Sequence, residues 1–164
     1  IDSAVKFKLG FPMGIFELAD FTGMDVIHKA TVEMHMRDKK VINPHKTVEK
    51  MFDEKKLGQK SGEGYYKYSD DKYERVELSE ELAQKCNPIQ LIANVLNNAA
   101  WLITNGASDI EEIEKAAKLG LGLRKPLFET AKEIGIQNIV DELNKLTETY
   151  GEFYKPDPLL ETMI

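Results

Sequence analysis

The chain has 164 residues, 42% of them hydrophobic and 30% charged, and a formal net charge of -6. This length can bury a core as one domain or as two small ones, and the acidic balance argues against a nucleic-acid-binding protein, which needs a basic surface. No apolar run approaches the ~20 residues of a membrane span and no signal peptide is visible, so neither nucleic acid nor membrane is an expected partner.

Short helices separated by glycines are predicted at the start of the chain. Residues 1–9 have the pattern of the end of a helix. A stiff turn follows, because Pro12 fixes its own φ near about −65° and pushes Phe11 out of helical geometry. Helices are then predicted from Gly14 to Phe21, ended by Gly23, and from Asp25, as the cap, to Arg37.

The middle of the chain changes character twice. One more short helix is predicted from Thr47 to Lys55. Residues 56–68 contain three glycines that indicate turns, and their tyrosine-rich end suits a short extended segment. Residues 69–85 are charged and poor in core residues, which predicts a linker.

The last third of the chain predicts four helices. Asn87 and Pro88 look like a cap and a first helical residue, and apolar residues then recur at helical spacing as far as Gly106. Three more helices are predicted, one opened by a capping box at residues 108–111, one between Pro126 and Gly135, and one at 137–150. Residues 151–164 contain two prolines and no helical period, which predicts a tail that lies along the surface or leads to another domain.

The beginning of the chain recurs, at a fixed offset, in its last third. Residues 1–30 align with 113–142 without a gap, and ten of the thirty pairs are identical. Because these identities fall on turn glycines and on helix-spaced apolar positions, they indicate an internal duplication. We therefore predict an all-α protein with two tandem copies of a small helical bundle, at 1–68 and 86–150. The first copy is truncated, because the counterpart of the helix at 89–103 would precede Ile1, and we expect the chain to be a piece of a longer protein.

The turn at the start is the candidate binding site. It presents a rigid apolar surface, and the glycine lets a ligand or another chain approach the backbone; the residues concerned are Phe11, Pro12, Met13, Gly14 and Phe16. Two interpretations remain open from the chemistry alone, a helix–helix corner packed in a core and the wall of a pocket for an apolar substrate tail. Glu17 is expected in the first turn of the helix, where it complements the helix dipole.

Other chemical motifs are incomplete. Gly58-Gln59-Lys60-Ser61 lacks the full phosphate-loop spacing, and the two Gly-x-Gly pairs lack the third glycine of a dinucleotide-binding loop. The three histidines do not form a metal pattern. The single cysteine, Cys86, excludes an internal disulfide and fits a reducing cytoplasm. We expect no catalytic, cofactor-binding or metal-binding residue in the chain.

Two segments carry a resemblance to a known family. Gly10-Phe11-Pro12-Met13-Gly14-Ile15-Phe16-Glu17-Leu18-Ala19-Asp20 and the segment Lys56 to Tyr68 resemble, in order and spacing, the C-terminal domain of the 3-hydroxyacyl-CoA dehydrogenases. The resemblance implies a fold like the C-terminal domain of 6-phosphogluconate dehydrogenase. It also implies an NAD-dependent oxidation of (S)-3-hydroxyacyl-CoA to 3-oxoacyl-CoA in fatty-acid metabolism.

The same resemblance assigns the chemistry to other parts of the enzyme. NAD and a catalytic His–Glu pair would belong to an upstream Rossmann domain, so residues 1–164 alone are expected to be inactive. The helical region would close the cleft on the acyl-CoA substrate and provide a dimer contact, which predicts a homo-oligomer. In some relatives an enoyl-CoA hydratase domain follows.

The second copy departs from the family pattern. Arg124-Lys125-Pro126 replaces Pro12-Met13-Gly14, which turns an apolar corner into a charged one and favours a structural role; the alternative is that the two cations pair with CoA phosphates. The family's substrate-contacting asparagine would fall at about Ile89, although Asn87 is nearby. Two further hypotheses are a non-catalytic helical module for oligomerisation or acyl-CoA binding, and the helical domain of another β-hydroxyacid dehydrogenase.

Overall fold

A computed structural model describes residues 1–39, 41, 43–69, 72–74 and 77–164. Within these residues the chain has ten α-helices, two 3-10 turns and one antiparallel hairpin, which confirms the all-α prediction. The elements are α1 (Asp2–Phe7), α2 (Ile15–Thr22), α3 (Met24–Arg37), α4 (Lys46–Asp53), a 3-10 turn (Gln59–Ser61), β1 (Lys67–Ser69), β2 (Lys72–Glu74), α5 (Glu80–Gln84), α6 (Ile89–Thr104), α7 (Ile110–Gly120), α8 (Leu127–Ile134), α9 (Ile136–Tyr150), a second 3-10 turn (Glu152–Tyr154) and α10 (Pro158–Thr162).

The chain divides into two compact units. The C-terminal unit comprises residues 1, 3–12 and 80–164, and the N-terminal unit comprises residues 2 and 13–79. The C-terminal unit holds a continuous hydrophobic core in which α6 packs against α8, α9 and α10. Its most buried large side chains are Ile92, Leu96, Ile139, Leu143 and Leu160. In the N-terminal unit α3 packs against α2 and α4, with Met24 fully buried.

Local sequence sets most helix ends, with small departures from the predicted caps. Asp109 is the residue that caps α7, because its carboxylate accepts a hydrogen bond from the backbone N–H of Glu112; the predicted box lies one residue too early. Gly23, with no side chain to offer, occupies the cap position of α3 that we assigned to Asp25. Asn87 lies one residue before the cap of α6, and its side-chain oxygen accepts from Ile89 N–H at 3.1 Å.

The duplication is visible in the positions of the helices. Helix α8 begins and ends at the counterparts of the first and last residues of α2, and α9 begins at the counterpart of the first residue of α3. The glycines between them share a backbone conformation, with φ of 97° at Gly23 and 92° at Gly135. Both values lie in a region that disfavours side chains, which explains why glycine occupies both positions.

The correspondence continues beyond the predicted end of the second copy. His45 caps α4 by accepting from Thr47 N–H, and Asp157, at the same offset in the repeat, caps α10 by accepting from Leu159 N–H. Leu160 is completely buried in the core of the C-terminal unit. Residues 151–164 therefore form a 3-10 turn and a core helix instead of the surface tail that the prolines suggested, because Pro158 occupies the first helical position, where no N–H is needed.

The predicted linker also contains structure. Ser69 ends β1, which pairs with β2 in the register Lys67 to Glu74. Helix α5 follows, and its Ala83 is buried with an exposed fraction of 1%. Because the segment is charged overall, its composition did not indicate that this small side chain would be buried. Four positions of the predicted linker, 70, 71, 75 and 76, lie outside the described residues.

Candidate functional site

A buried carboxylate organises the N-terminal unit. Asp20, near the end of α2, is only 1% exposed. Its Oδ1 accepts from Tyr65 N–H at 2.9 Å, and its Oδ2 accepts from Tyr66 N–H at 2.9 Å and from the Tyr68 hydroxyl at 2.8 Å. Three donors around one carboxylate replace the water that burial removes. Asp20 therefore fastens α2 to the loop at 58–68.

Two glycines allow the loop to approach this closely. A Cβ on Gly64 would lie 2.1 Å from Oδ1 of Asp20, and a Cβ on Gly58 would lie 2.2 Å from the backbone oxygen of Asp20. Both distances are far below van der Waals contact. Gly58 also has a φ of 89°, which side chains rarely adopt. The spacing of these glycines thus reflects the backbone wrapped around Asp20, and we call this arrangement the Asp20 clamp.

A second buried carboxylate holds the beginning of α2. The Asp2 carboxylate accepts hydrogen bonds from Phe16 N–H at 2.9 Å, from Glu17 N–H at 3.1 Å and from the Tyr66 hydroxyl at 2.7 Å. Glu17 completes the cap, because its Oε2 accepts from Gly14 N–H at 2.8 Å. The expectation that Glu17 stabilises the start of this helix is confirmed.

Three of the predicted binding residues, Met13, Gly14 and Phe16, belong to the N-terminal unit, and the Asp2 cap contacts two of them, Gly14 and Phe16. The ring of Phe16 lies 4.4 Å from the ring of Tyr65, centroid to centroid. Gly14 is buried against Asp2, whose Cβ would be 2.3 Å from a Cβ placed on the glycine. The close neighbour of Gly14 is therefore a side chain of the same unit. Met13 is half-buried.

The other two predicted binding residues belong to the C-terminal unit. Phe11 is half-buried and packs against the hydrophobic core, and its N–H donates to the Val5 carbonyl at 3.3 Å. Pro12 is exposed, and its Cγ would lie 3.0 Å from a Cβ on Gly122. The packing of Phe11 gives the core-corner interpretation support at this residue. Whether the five residues contact a substrate stays a prediction.

The second copy repeats the cap with a longer acid. Glu114 is the counterpart of Asp2, and its two carboxylate oxygens accept from Leu127 N–H at 2.7 Å and Phe128 N–H at 2.8 Å. In the charged corner that follows, Lys125 forms an ion pair with Glu133, while Arg124 is exposed. The pairing of Lys125 with a carboxylate of α8 agrees with a structural role for this corner.

Charge and burial shift the pKa values of two ionisable groups near the clamp. Lys60 forms an ion pair with Asp25, and its hydrogen bond holds the pKa of that carboxyl below the usual value of 3.8. Burial raises the pKa of the Tyr65 hydroxyl, and the negative charge of Asp20 adds to the effect. Both groups keep their ordinary charge near neutral pH.

The described residues do not fit NAD or a metal ion. Gly64 faces the carboxylate of Asp20, which would repel a pyrophosphate, and Gly122 follows the end of α7 instead of opening a helix. Within the described part of the chain no three acidic, histidine or cysteine side chains gather as a metal site, and none of its helices has the length and apolar content needed to cross a membrane.

Sequence reasoning singled out the apolar corner as a candidate binding site but missed the hydrogen bonds that support it. Asp2, Asp20, Tyr66 and Tyr68 carry the hydrogen bonds, and none was singled out. One signal was available, since the first family-like segment ends on Asp20 and the second ends in tyrosines. Two such segments are expected to meet if they are read together, but no pattern in either segment alone gives the pairing.

Comparison with protein families identifies the architecture. A family model described as the C-terminal domain of 3-hydroxyacyl-CoA dehydrogenase matches residues 1–68 and 90–164. Mitochondrial hydroxyacyl-coenzyme A dehydrogenase from Rattus norvegicus is 40% identical over 70 residues, which are 42% of this chain and 22% of that protein. A probable 3-hydroxyacyl-CoA dehydrogenase from Caenorhabditis elegans is 39% identical over 70 residues. The chain thus spans about a fifth of these relatives' length.

Solved structures extend the similarity across both copies. 3-Hydroxybutyryl-CoA dehydrogenase from Escherichia coli K12 matches 99% of this chain and 53% of its own, with a TM-score of 0.75 and 20% identity. The dehydrogenase part of multifunctional enzyme 1 from Caenorhabditis elegans matches 96% of this chain and 40% of its own, with a TM-score of 0.66 and 21% identity. At these identities the two structures establish the fold alone.

Proposed function

We propose, since the chain belongs to the family of 3-hydroxyacyl-CoA dehydrogenase C-terminal domains, that it forms the helical part of the substrate cleft and the dimerisation region of such an enzyme. The enzyme would oxidise (S)-3-hydroxyacyl-CoA to 3-oxoacyl-CoA with NAD in fatty-acid metabolism. The observation that carries the proposal is the Asp20 clamp, which fastens α2, in the first segment that resembles the family, to the tyrosines of the second segment.

The role of this chain would be positioning. The Asp2 cap and the clamp hold α2 at both ends, so the backbone of Phe16 has little freedom to move. An apolar wall fixed before the substrate binds excludes water and loses little entropy on contact with an acyl chain. The oxidation itself would use NAD and an acid–base pair in a separate dinucleotide-binding domain, because the described residues do not fit NAD.

An activity assay tests the division of labour. Purified residues 1–164 are mixed with acetoacetyl-CoA and NADH, and the absorbance of NADH is followed. We expect no oxidation above the buffer rate, and a rate proportional to the concentration of the fragment would contradict the proposal. The companion protein joins the chain to the part of the Escherichia coli relative that the chain does not match, and it is expected to oxidise 3-hydroxybutyryl-CoA.

A charge on the apolar corner tests the binding residues in that joined enzyme. Met13→Glu is expected to raise KM for acyl-CoA substrates at least tenfold, because a carboxylate would face the acyl chain. Met36→Glu is the matched control, since Met36 is 65% exposed on the distal part of α3. Equal KM values for the two variants over several acyl lengths would refute the assignment of Met13.

An acyl-CoA-binding or oligomerisation module without catalysis is the second candidate. The joined enzyme distinguishes the two candidates. Catalytic turnover by the joined enzyme supports the dehydrogenase. If the joined enzyme is inactive and calorimetry shows that residues 1–164 bind acyl-CoA, the module is supported. The proposal keeps the two copies at 1–68 and from 86 onward, the homo-oligomer, and an upstream Rossmann domain. A downstream hydratase domain and contacts of Arg124 and Lys125 with CoA also stay predictions, as does the cytoplasm, since the rat relative is mitochondrial by name.

A further inference from the structure

We infer that Met13, Phe21 and Val26 form a contact surface for the apolar tail of an acyl-CoA, and that this surface gives the chain a preference for longer acyl groups. We call these three residues the tail strip. The inference rests on the proposed function and goes beyond it, because it assigns residues to the length of the acyl group. It comes from comparing these positions with the same positions of the second copy.

Two residues of the tail strip are apolar side chains that are open to water. Phe21, near the end of α2, is 64% exposed, and Val26, in the first turn of α3, is 48% exposed. Met13, just before α2, is half-buried. A single exposed apolar side chain is common on protein surfaces, whereas a contiguous group of them is typical of a binding surface.

The second copy has polar residues at the three corresponding positions, which are Lys125, Glu133 and Asn138. Lys125 forms an ion pair with Glu133, from the turn before α8 to the last turn of this helix. Asn138 donates a hydrogen bond from Nδ2 to the carbonyl of Ile134, the residue after Glu133, at 2.7 Å. These contacts hold the three side chains in one group.

The first copy has the same scaffold, so we expect its three side chains to form one group as well. Helices α2 and α3 begin at the counterparts of the first residues of α8 and α9. Side chains on a helix lean toward its N-terminus, a general rule that directs the ring of Phe21 back along α2 toward Met13. Because α2 has eight residues and rises about 12 Å, the tail strip is long and narrow.

A missing helix explains the exposure of other residues of α2, but not that of the tail strip. Leu18, at 47% exposed, corresponds to Thr130, which is 9% exposed on the helix that packs against α6. The described residues of the N-terminal unit include no counterpart of α6, which accounts for the exposure of Leu18. Glu133 and Asn138, by contrast, are exposed although α6 is in place. A helix in the corresponding place would therefore leave the tail strip open.

The change of chemistry between the copies identifies the occupant. Water suits the ion pair of the second copy, whereas apolar side chains at the same places are stabilised by an apolar partner. The tail strip continues from the apolar corner, since Met13 belongs to both. A stable protein–protein contact buries about 800 Å² on each partner, which three side chains do not offer, whereas one acyl chain needs only a narrow strip.

Calorimetric titration of the full 164-residue chain with two acyl-CoA esters tests the inference. Full burial of one methylene tightens binding about fourfold, and contact on one side about twofold. We therefore expect decanoyl-CoA, with four more methylenes, to bind at least tenfold tighter than hexanoyl-CoA. Phe21→Glu should reduce this ratio below about threefold. Tyr150→Glu is the matched control, because Tyr150 is an aromatic residue 63% exposed on α9, and it should leave the ratio unchanged.

A double variant keeps the test independent of folding. Met13→Lys combined with Phe21→Glu recreates the ion pair that the same scaffold accommodates in the second copy. This variant should keep the helix content in circular dichroism and should also lose the preference for the longer ester.

Other outcomes would overturn the inference. Equal affinity of the parent chain for the two esters, or no binding of either, would mean that the tail strip holds no acyl tail. A preference that persists in both Phe21 variants would place the tail elsewhere, and a parent dimer in sedimentation that Phe21→Glu dissociates would make a second copy the occupant. An inactive joined enzyme would refute the proposed function, whereas an active one together with equal affinities for the two esters would refute only the inference.

Discussion

Replacing Asp20 with alanine should destabilise the N-terminal unit more than any exposed substitution. The change removes the carboxylate that accepts hydrogen bonds from the backbone N–H groups of Tyr65 and Tyr66 and from the Tyr68 hydroxyl. Hydrogen bonds to a charged acceptor contribute about 1.5–3 kcal/mol each. Three such bonds would sum to more than about 4.5 kcal/mol, but the loop can open to water, so we expect a loss of about 4 kcal/mol.

A graded series makes this expectation specific. Tyr68→Phe removes one of the three bonds and should cost about 1.5–2 kcal/mol. Asp20→Asn keeps one acceptor oxygen and should fall between Tyr68→Phe and Asp20→Ala. Asp53→Ala, at an exposed position near the end of α4, is the control and should stay within about 0.5 kcal/mol of the parent.

The choice of probe follows from the two-unit division. The single tryptophan, Trp101, lies in the C-terminal unit and need not report on the N-terminal one. Urea unfolding is therefore followed by circular dichroism, and the amide exchange of Tyr65 and Tyr66 is followed by NMR. Asp20→Ala should accelerate exchange at both amides. A loss below about 1 kcal/mol with unchanged exchange would refute the role assigned to the carboxylate.

Further predictions concern the neighbouring contacts. Gly64→Ala should cost more than about 3 kcal/mol in thermal unfolding, because its Cβ would overlap Asp20, whereas Gly120→Ala, in open space at the end of α7, should stabilise the chain by up to about 1 kcal/mol. The depressed pKa of Asp25 means that its pairing stabilises the fold above pH 3.8 and is lost as the pH falls below that value. The parent should thus unfold at higher urea than Asp25→Asn at pH 6, and this difference should shrink as the pH falls below 3.8; a difference of the same size on both sides of pH 3.8 would contradict the pairing. Glu114→Ala should cost about 1–2 kcal/mol by removing the acceptors at the start of α8, measured by Trp101 fluorescence, and the exposed Glu111→Ala should not.

The sequence predicted the helices well because their signals are local. The glycines at 23 and 135 and the spacing of apolar residues place α2, α3, α8 and α9 within one or two residues of their observed bounds. The sequence failed where the deciding contact is distant. Leu160 is buried by helices far away in the chain, so its two neighbouring prolines suggested a tail. Asp20 gave no local sign that its partners lie 45–48 residues ahead.

The same comparison applies to the candidate site. The apolar corner was predicted from stiffness and residue type, which are properties of neighbouring residues. Its support could not be predicted, because a buried carboxylate and an exposed one have the same appearance in a sequence. The Gly-x-Gly pair at 62–64 lacks the third glycine of a phosphate loop, and its structural role, contact with Asp20 through Gly64, depends on the fold.

The range of the hydrogen bonds at the two acidic caps has a consequence for synthesis on the ribosome. Glu114 is separated by 13 and 14 residues from the amides that it holds, so this turn can close as soon as α8 emerges. The bond from Tyr66 to Asp2 spans 64 residues, and that from Tyr68 to Asp20 spans 48. Longer loops close more slowly and at a greater entropic cost. The N-terminal half, although translated first, is therefore expected to wait for its closing tyrosines, and it is the half on which a chaperone would act longest.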